Sequence, residues 1–474
     1  MPGANHVDNL NAALSASDIA IRSDIWRKMS TSQILDATSG VPTIDVSGIL
    51  QQYIYDNRGG RVVIPPGRWL AAGLMLDGTE YDGTEIVWQG ELLLSQRPTA
   101  YINNFGGAWC GIVLRGCSDV HLVFRGHGNR LAQPDEQHCH LLVIAGVKNL
   151  HAPVVRTREM RGDGIYIGQY SLTTESAQSE NLVFGNVSCI NSSDDGRNGC
   201  SIIAVDGCVI DKFVSKKVGG YVQETWQPGG LDIEPNYGFQ ICRNIHVGYA
   251  NVESAGIQVF GCFGKDQGGT PENWNVIDLS VGTLYAKQTN TTATAGFAAA
   301  QFTRVNGLKI GKAFVECDMT SDASAILIDY AKNVDADVTV TESPRGAQYG
   351  VQGWVRYSDI HTRVKRYSKY YAIHVVGAAD CRFSGFVYGS QSYGLGGVTL
   401  QKGGRPITQT NVHYSISVPH DGRVKNGYSN VAGDLMEFTN CTISNCDLGG
   451  YPALEGFGAY SGMTGITIGS NVLV

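Results

Sequence analysis

The stretch Gly229-Gly230-Leu231-Asp232-Ile233-Glu234-Pro235-Asn236 carries the residue types best suited to acid–base chemistry. Side chains alternate along a strand, so Leu231 and Ile233 fall on one face and Asp232 and Glu234 on the other. The two carboxyl groups are then expected side by side in the open, roughly 6.5–7 Å apart. Glycosidases separate a proton donor from its partner carboxylate over a similar range: one acid protonates the glycosidic oxygen, the other activates water or attacks the sugar. Crowding raises the pKa of one acid and leaves it protonated near neutrality. Pro235 cannot donate to a ladder and ends the strand. Surface strands also carry paired acids with no function, so the surroundings must decide.

The segment Ile190-Asn-Ser-Ser-Asp194-Asp195-Gly-Arg197-Asn-Gly-Cys200 supplies further candidates. Asp195 is the expected third catalytic participant, and Arg197 would grip the carboxylate of an acidic sugar bidentately. Ser, Asp, Asn and Gly also favour plain turns. Asp163, in Arg161-Gly162-Asp163-Gly164, is assigned to a turn outright. Asp194, Glu224, Trp226, Tyr237 and Lys265 add polar and flat groups on loops, and Tyr166, Gln258 and Phe260 are expected on neighbouring strands. An elimination reaction would need a base beside a uronate and a cation to neutralise its carboxyl. Tyr166, Lys265, Arg161 and His246 offer these, although His246 fits better on another face and no calcium-type carboxylate cluster is evident. His138 and His140 flank Cys139, but a zinc site needs a third ligand nearby. No metal or cofactor is expected.

The elements that must carry these residues follow from repetition. A small residue followed by apolar-x-apolar recurs as GIVL at 111, HLLV at 140, GIYI at 164, GCSI at 199, GLDI at 230 and GIQV at 256, and continues to GVTL at 397. A second motif alternates with it, as in NLVFGNV at 181, NIHVGYANV at 244 and NVHYSISV at 411. Each repeat is too small to bury its own apolar face, but neighbours stacked about 4.8 Å apart share one core. The expectation is an all-β parallel β-helix, since sandwich strands come at closer spacing without a recurring motif. Aligning the motifs gives one outward column of Leu142, Tyr166, Ser201, Asp232, Gln258 and Ala298. A second runs Ile144, Gly168, Ile203, Glu234, Phe260 and Ala300. Polar and aromatic residues gather in the middle coils, as a bound oligosaccharide requires.

Composition agrees: Gly is abundant (60) and helix formers are sparse. Residues 1–40 form short amphipathic helices, as a neck or a cap on the open end; 41–420 form the β-helix; 421–474 form a last coil and a cap or trimer contact. The net charge of −7 comes without a Lys/Arg cluster, which argues against a nucleic-acid partner. No apolar run has the length of a membrane span and the first residues are no signal peptide, so no membrane partner is expected. The twelve Cys show no CxxC pair and fit buried, reduced hydrophobes, as in a chain made in a reducing cytoplasm.

Gly59-Gly60-Arg61-Val62-Val63-Ile64-Pro65-Pro66-Gly67-Arg68-Trp69 resembles the opening of the pectate-lyase-like right-handed parallel β-helices. RGDGIYIG (161–168), INSSDDGRNGCSII (190–203) and GGLDIEPN resemble the middle coils of bacteriophage tailspikes, which are polysaccharide depolymerases on that helix. The resemblance implies a right-handed single-stranded β-helix assembled as a homotrimer. It further implies a virion protein, made in the host cytoplasm, that binds and cleaves a bacterial capsule, exopolysaccharide or O-antigen. The large N-terminal virion-binding domain of many such spikes has no counterpart here: either it has been removed, or docking onto the tail or another fibre falls to the first 40 residues. A non-catalytic receptor-binding spike and a purely structural β-helix are the alternatives, and the paired acids weigh against both.

Overall fold

A computed structural model describes residues 24–96, 110–133, 138–171, 174–222, 225–267, 273–292, 297–368 and 371–388, and shorter stretches at 396–400, 409–418, 428–430, 438–444, 446–447, 466–468 and 472–473. Two helices lead in. Thr31–Thr38 starts at a capping box in which Ser30 and Gln33 satisfy each other's backbone amides. The Asp36 carboxylate then receives the amides of Thr43 and Ile44 and turns the chain into Ser47–Asp56. Ile25, Met29, Leu50, Tyr53 and Ile54 are buried, and Trp26 packs against Trp69 with ring centroids 4.9 Å apart and planes tilted by 30°, so this segment covers the first coil. Residues 1–23 and most of 421–474 lie outside the described residues, and with them most of the expected neck and terminal cap.

From Arg61 onward nearly all strands join one parallel sheet. On one face short strands stack: His140–Ala145, Ile165–Gly168, Cys200–Ile202, Leu231–Ile233, Phe260–Phe263 and the start of Ala298–Cys317. On another face long strands stack, among them His121–His127, Lys148–Arg158, Ser179–Asp195, Val205–Val218 and Cys242–Ser254. This is the arrangement of a parallel β-helix, built as the repeats predict. The second motif begins at the bend between the faces. There Asp119, Asn149, Asn181, Gly207, Asn244, Asp278, Gly307 and Asn333 occupy one column with φ between +50° and +81°. Only Gly, Asn and Asp enter that region cheaply. Their side chains also bridge coils: the Asn149 amide donates to Asp119 at 3.0 Å, and that of Asn181 to Asn149 at 3.2 Å.

Inside the coils, Leu142, Ile165, Cys200, Leu231, Phe260 and Ala300 form one inward column. Eleven cysteines among the described residues are buried and free. The outward column beside them runs Val143, Tyr166, Ser201, Asp232, Gly261 and Gln301. The aligned motifs were therefore right for Tyr166, Ser201 and Asp232 and wrong at both ends. Leu142 is one residue out and faces the core. Gln258 is three residues out, because Gly256–Val259 still belong to the turn: the Gly256 amide donates to Ser254 Oγ at 2.9 Å, and pairing with Leu231 begins only at Phe260. An odd slip reverses a strand's faces. Phe260 is accordingly fully buried against Phe302 (5.7 Å), and Phe263 takes the outward place beside Glu234. Ala298 and Ala300 likewise yield the outward positions of their coil to Gln301 and Thr303.

Candidate functional site

Asp232 stands at the centre of the short-strand face and is fully buried rather than open to solvent. Its Oδ2 accepts a hydrogen bond from the Asn198 side-chain amide at 3.2 Å. Its Oδ1 is buried and meets no hydrogen-bond donor. Burial above all, then the negative charge of Glu234, pushes the Asp232 carboxyl up to about 8, against the pull of Arg197. A carboxyl of this kind is neutral at pH 7. With Oδ2 occupied as an acceptor, its proton belongs on Oδ1. Gly261, next in the column, makes room for that oxygen: a side chain there would begin 2.6 Å from the Phe263 ring and 3.3 Å from Asp232 Oδ1. The space beside Gly261 is thus bordered by both the Phe263 ring and Asp232 Oδ1.

Glu234 lies two residues on, and its side chain is 35 % exposed, with Oε1 3.8 Å from the Lys265 ammonium. The expected pair thus exists with divided roles: one acid is buried and protonated, the other borders solvent beside a cation. Beyond Pro235 the chain presents Tyr237 and Phe239 with rings parallel at 5.1 Å and about two-fifths exposed, a flat platform at the edge of the site. Gln258 does not enter the Asp232 column, but its Nε2 faces Gln301 Oε1 at 3.5 Å, and its own Oε1 is buried and unbonded. Trp226 belongs by its backbone to the antiparallel pair Tyr221–Val222 and Thr225–Trp226. The Trp226 side chain and Glu224 lie outside the described residues.

Asp163 corrects the sequence reading most strongly. It lies in the bend before Ile165–Gly168 and is fully buried, which its assignment to a turn did not foresee. Its Oδ2 pairs with Arg197 Nη1 at 2.7 Å and its Oδ1 accepts the Asn198 amide at 3.2 Å. His140 Nδ1 accepts the Asp163 backbone amide at 3.2 Å, and the His140 ring stacks on Tyr166 at 4.9 Å. Burial pushes the Asp163 carboxyl upward despite the opposing Arg197 charge. Asn198 ties this group to the carboxylate pair, since its side-chain amide reaches both Ser201 Oγ (2.9 Å) and Asp232, while its oxygen accepts the Gly229 amide at 3.0 Å. The strand register puts His140, Asp163, Asn198 and Gly229 at the same point of successive coils. The signal was present in the sequence as the recurring x-Gly two residues before each inward position, in Asp163-Gly164, Asn198-Gly199 and Gly229-Gly230. Turn propensity hid it.

The same contacts reassign Arg197, Asp194 and Asp195. Arg197 directs its guanidinium at Asp163, so the expected grip on an acidic sugar is already taken. Asp195 is clamped between Arg130 (2.5 Å) and Arg161 (2.6 Å), and Asp194 Oδ1 accepts the Ala255 amide at 3.1 Å. Both acids brace the loop that carries Arg197 and Asn198. Tyr166 is buried, and burial followed by the Asp163 charge pushes its phenol upward. His246 lies on the long-strand face, hydrogen-bonded to Ser280 Oγ at 2.8 Å. Among the described residues no three His, Cys, Asp or Glu side chains are grouped to hold a metal ion, His138 and His140 included. No helix of the described residues is long and apolar enough to cross a membrane.

The site thus sets a fully buried carboxyl two residues from one that borders solvent, with the Tyr237 and Phe239 rings further along the same chain segment. Comparison of the chain with protein-family models, with curated proteins and with solved structures finds no match.

Proposed function

We propose that this chain binds a bacterial surface polysaccharide, such as a capsule, exopolysaccharide or O-antigen, and cleaves it by endo-glycosidic hydrolysis. The observation that carries the proposal is Asp232: a buried carboxyl held protonated near neutrality, with an unpartnered Oδ1, adjoining Glu234. Asp232 acts as general acid and passes its Oδ1 proton to the glycosidic oxygen as the C–O bond breaks. Glu234 takes a proton from the attacking water or attacks the anomeric carbon itself. Asp163, Arg197 and Asn198 are positioning residues that hold the Asp232 carboxyl in place, and Tyr237 and Phe239 offer faces for sugar rings to stack on. Lys265 steadies Glu234.

The resemblance of the middle coils to tailspikes supports the polysaccharide as substrate. With it go a right-handed, pectate-lyase-like helix, a homotrimer, and attachment to a phage tail or another fibre through the N-terminal residues. The test is to spot purified protein on lawns of capsulated bacteria beside Asp232→Asn and Glu234→Gln. Halos from the wild type, with at least about a hundredfold loss in both variants, are expected. Full halos from both variants overturn the carboxylate assignment. Released oligosaccharides that are unsaturated and lighter by one water would replace hydrolysis with elimination.

A further inference from the structure

A second site lies on the long-strand face. A groove of about 700 Å3 crosses the strands Arg68–Ala71, Glu91–Leu94, His121–His127, Lys148–Arg158 and Ser179–Asp195. Its floor is one outward column of three coils. Arg125 pairs with Arg156 and Arg156 with Ser188, so these three line up along the helix axis, and the bend at Gln89 closes one end. At about 4.8 Å per coil the strip is roughly 10 Å long.

Several of its polar groups lack hydrogen-bond partners. Both side-chain amide atoms of Gln89 and Nε of Arg125 are buried with no hydrogen bond. Arg125 holds on only through Nη1, 3.3 Å from the Gln89 carbonyl. Among the described residues no carboxylate lies within ion-pairing distance of Arg125 or Arg156, although other charges of the groove are paired: Glu91 with Arg68 (2.9 Å) and Arg158 (2.6 Å), and Glu159 with Arg130 (3.2 Å). Burial first, then the charge of Arg156, disfavours the protonated form of Arg125, and the more distant Glu91 charge offsets this only in part. Two adjacent guanidiniums and an unbonded amide form a costly arrangement that an oxyanion relieves.

We propose that this groove binds an extended ligand bearing oxyanions, with a carboxylate, sulfate or phosphate seated between Arg125 and Arg156 and a hydroxyl reaching Ser188. Two unpaired cations flanked by Glu91 and Glu159 suit sparse charge, as on an acidic oligosaccharide, and repel the dense charge of a nucleic acid. The site is separate from the carboxylate pair and does not depend on its activity.

Calorimetric titration of the full chain at low ionic strength tests this with three probes: a hyaluronan octasaccharide, its carboxyl-reduced form and inorganic sulfate. The octasaccharide is expected to bind, and both carboxyl reduction and Arg156→Glu are expected to weaken it by at least about tenfold. Arg156 is exposed, so its replacement leaves the fold intact, and Arg125→Gln should act in the same direction. Sulfate binding that Arg156→Glu abolishes, with no glycan binding, supports the oxyanion seat and assigns it to a small free anion. Binding by neither anion overturns the proposal, as does binding indifferent to both substitutions.

Discussion

Burying a carboxyl group without a donor for each oxygen costs free energy, and Asp232 avoids most of that cost by staying neutral. The unfolded chain releases this proton near 3.8, whereas the folded chain keeps it to about 8. Stability from this group is therefore complete below about pH 4 and declines as pH rises to 8. Asp232→Asn, which keeps the shape without the charge, should raise the melting temperature at pH 8 by the equivalent of about 1–3 kcal/mol and change little at pH 4. Calorimetry at the two pH values checks this, and equal melting shifts at both would remove the protonated acid. The Asp232 and Glu234 pair was legible because strand alternation alone puts them together. The burial of Asp232 was not, since it depends on neighbouring coils. Asp163 was misjudged for a related reason: Asp-Gly is a turn signal locally, and only the stack shows that Arg197 and Asn198 close over it.

At the scale of elements, the bend between faces is where sequence and backbone agree most closely. Asn181 holds φ at +55°, and its side chain bridges to Asn149. Asn181→Ala should cost about 1–2 kcal/mol, because a β-carbon opposes that conformation, while Asn181→Gly should cost less than about 1 kcal/mol. Denaturant titration of the two variants measures the difference, and an equal cost would show that the bend is not strained. The recurring Asn at the head of the second motif made these bends readable. Strand starts on the other face were harder. A motif beginning with Gly marks either a turn or the first paired residue, and at Gly256 the turn won, which carried Phe260 into the core and brought Phe263 outward. Nothing short of the hydrogen-bond register distinguishes the two.

The whole molecule is a stack in which each coil leans on its neighbours, so its ends are its weakest places. The Trp26 ring on Trp69 closes one of them. Trp26→Ala should lower stability by about 1–3 kcal/mol and, by loosening the cover of the first coil, promote end-to-end association visible in light scattering. A variant that stays monodisperse and equally stable would mean that the helices merely rest on the coil. The all-β stack was legible from repetition. The second site was not, because Gln89, Arg125, Arg156 and Ser188 come from four coils and share no motif. The stack also separates two kinds of inheritance. The excursion pinned by Gln169 and Gln178, and the hairpin of Tyr221–Val222 with Thr225–Trp226, leave the ladder and rejoin it without disturbing a column. Their length and composition can drift freely, whereas a single residue gained or lost within Leu231–Ile233 would turn Asp232 to the interior. Such a chassis can exchange these excursions while the columns underneath stay in place.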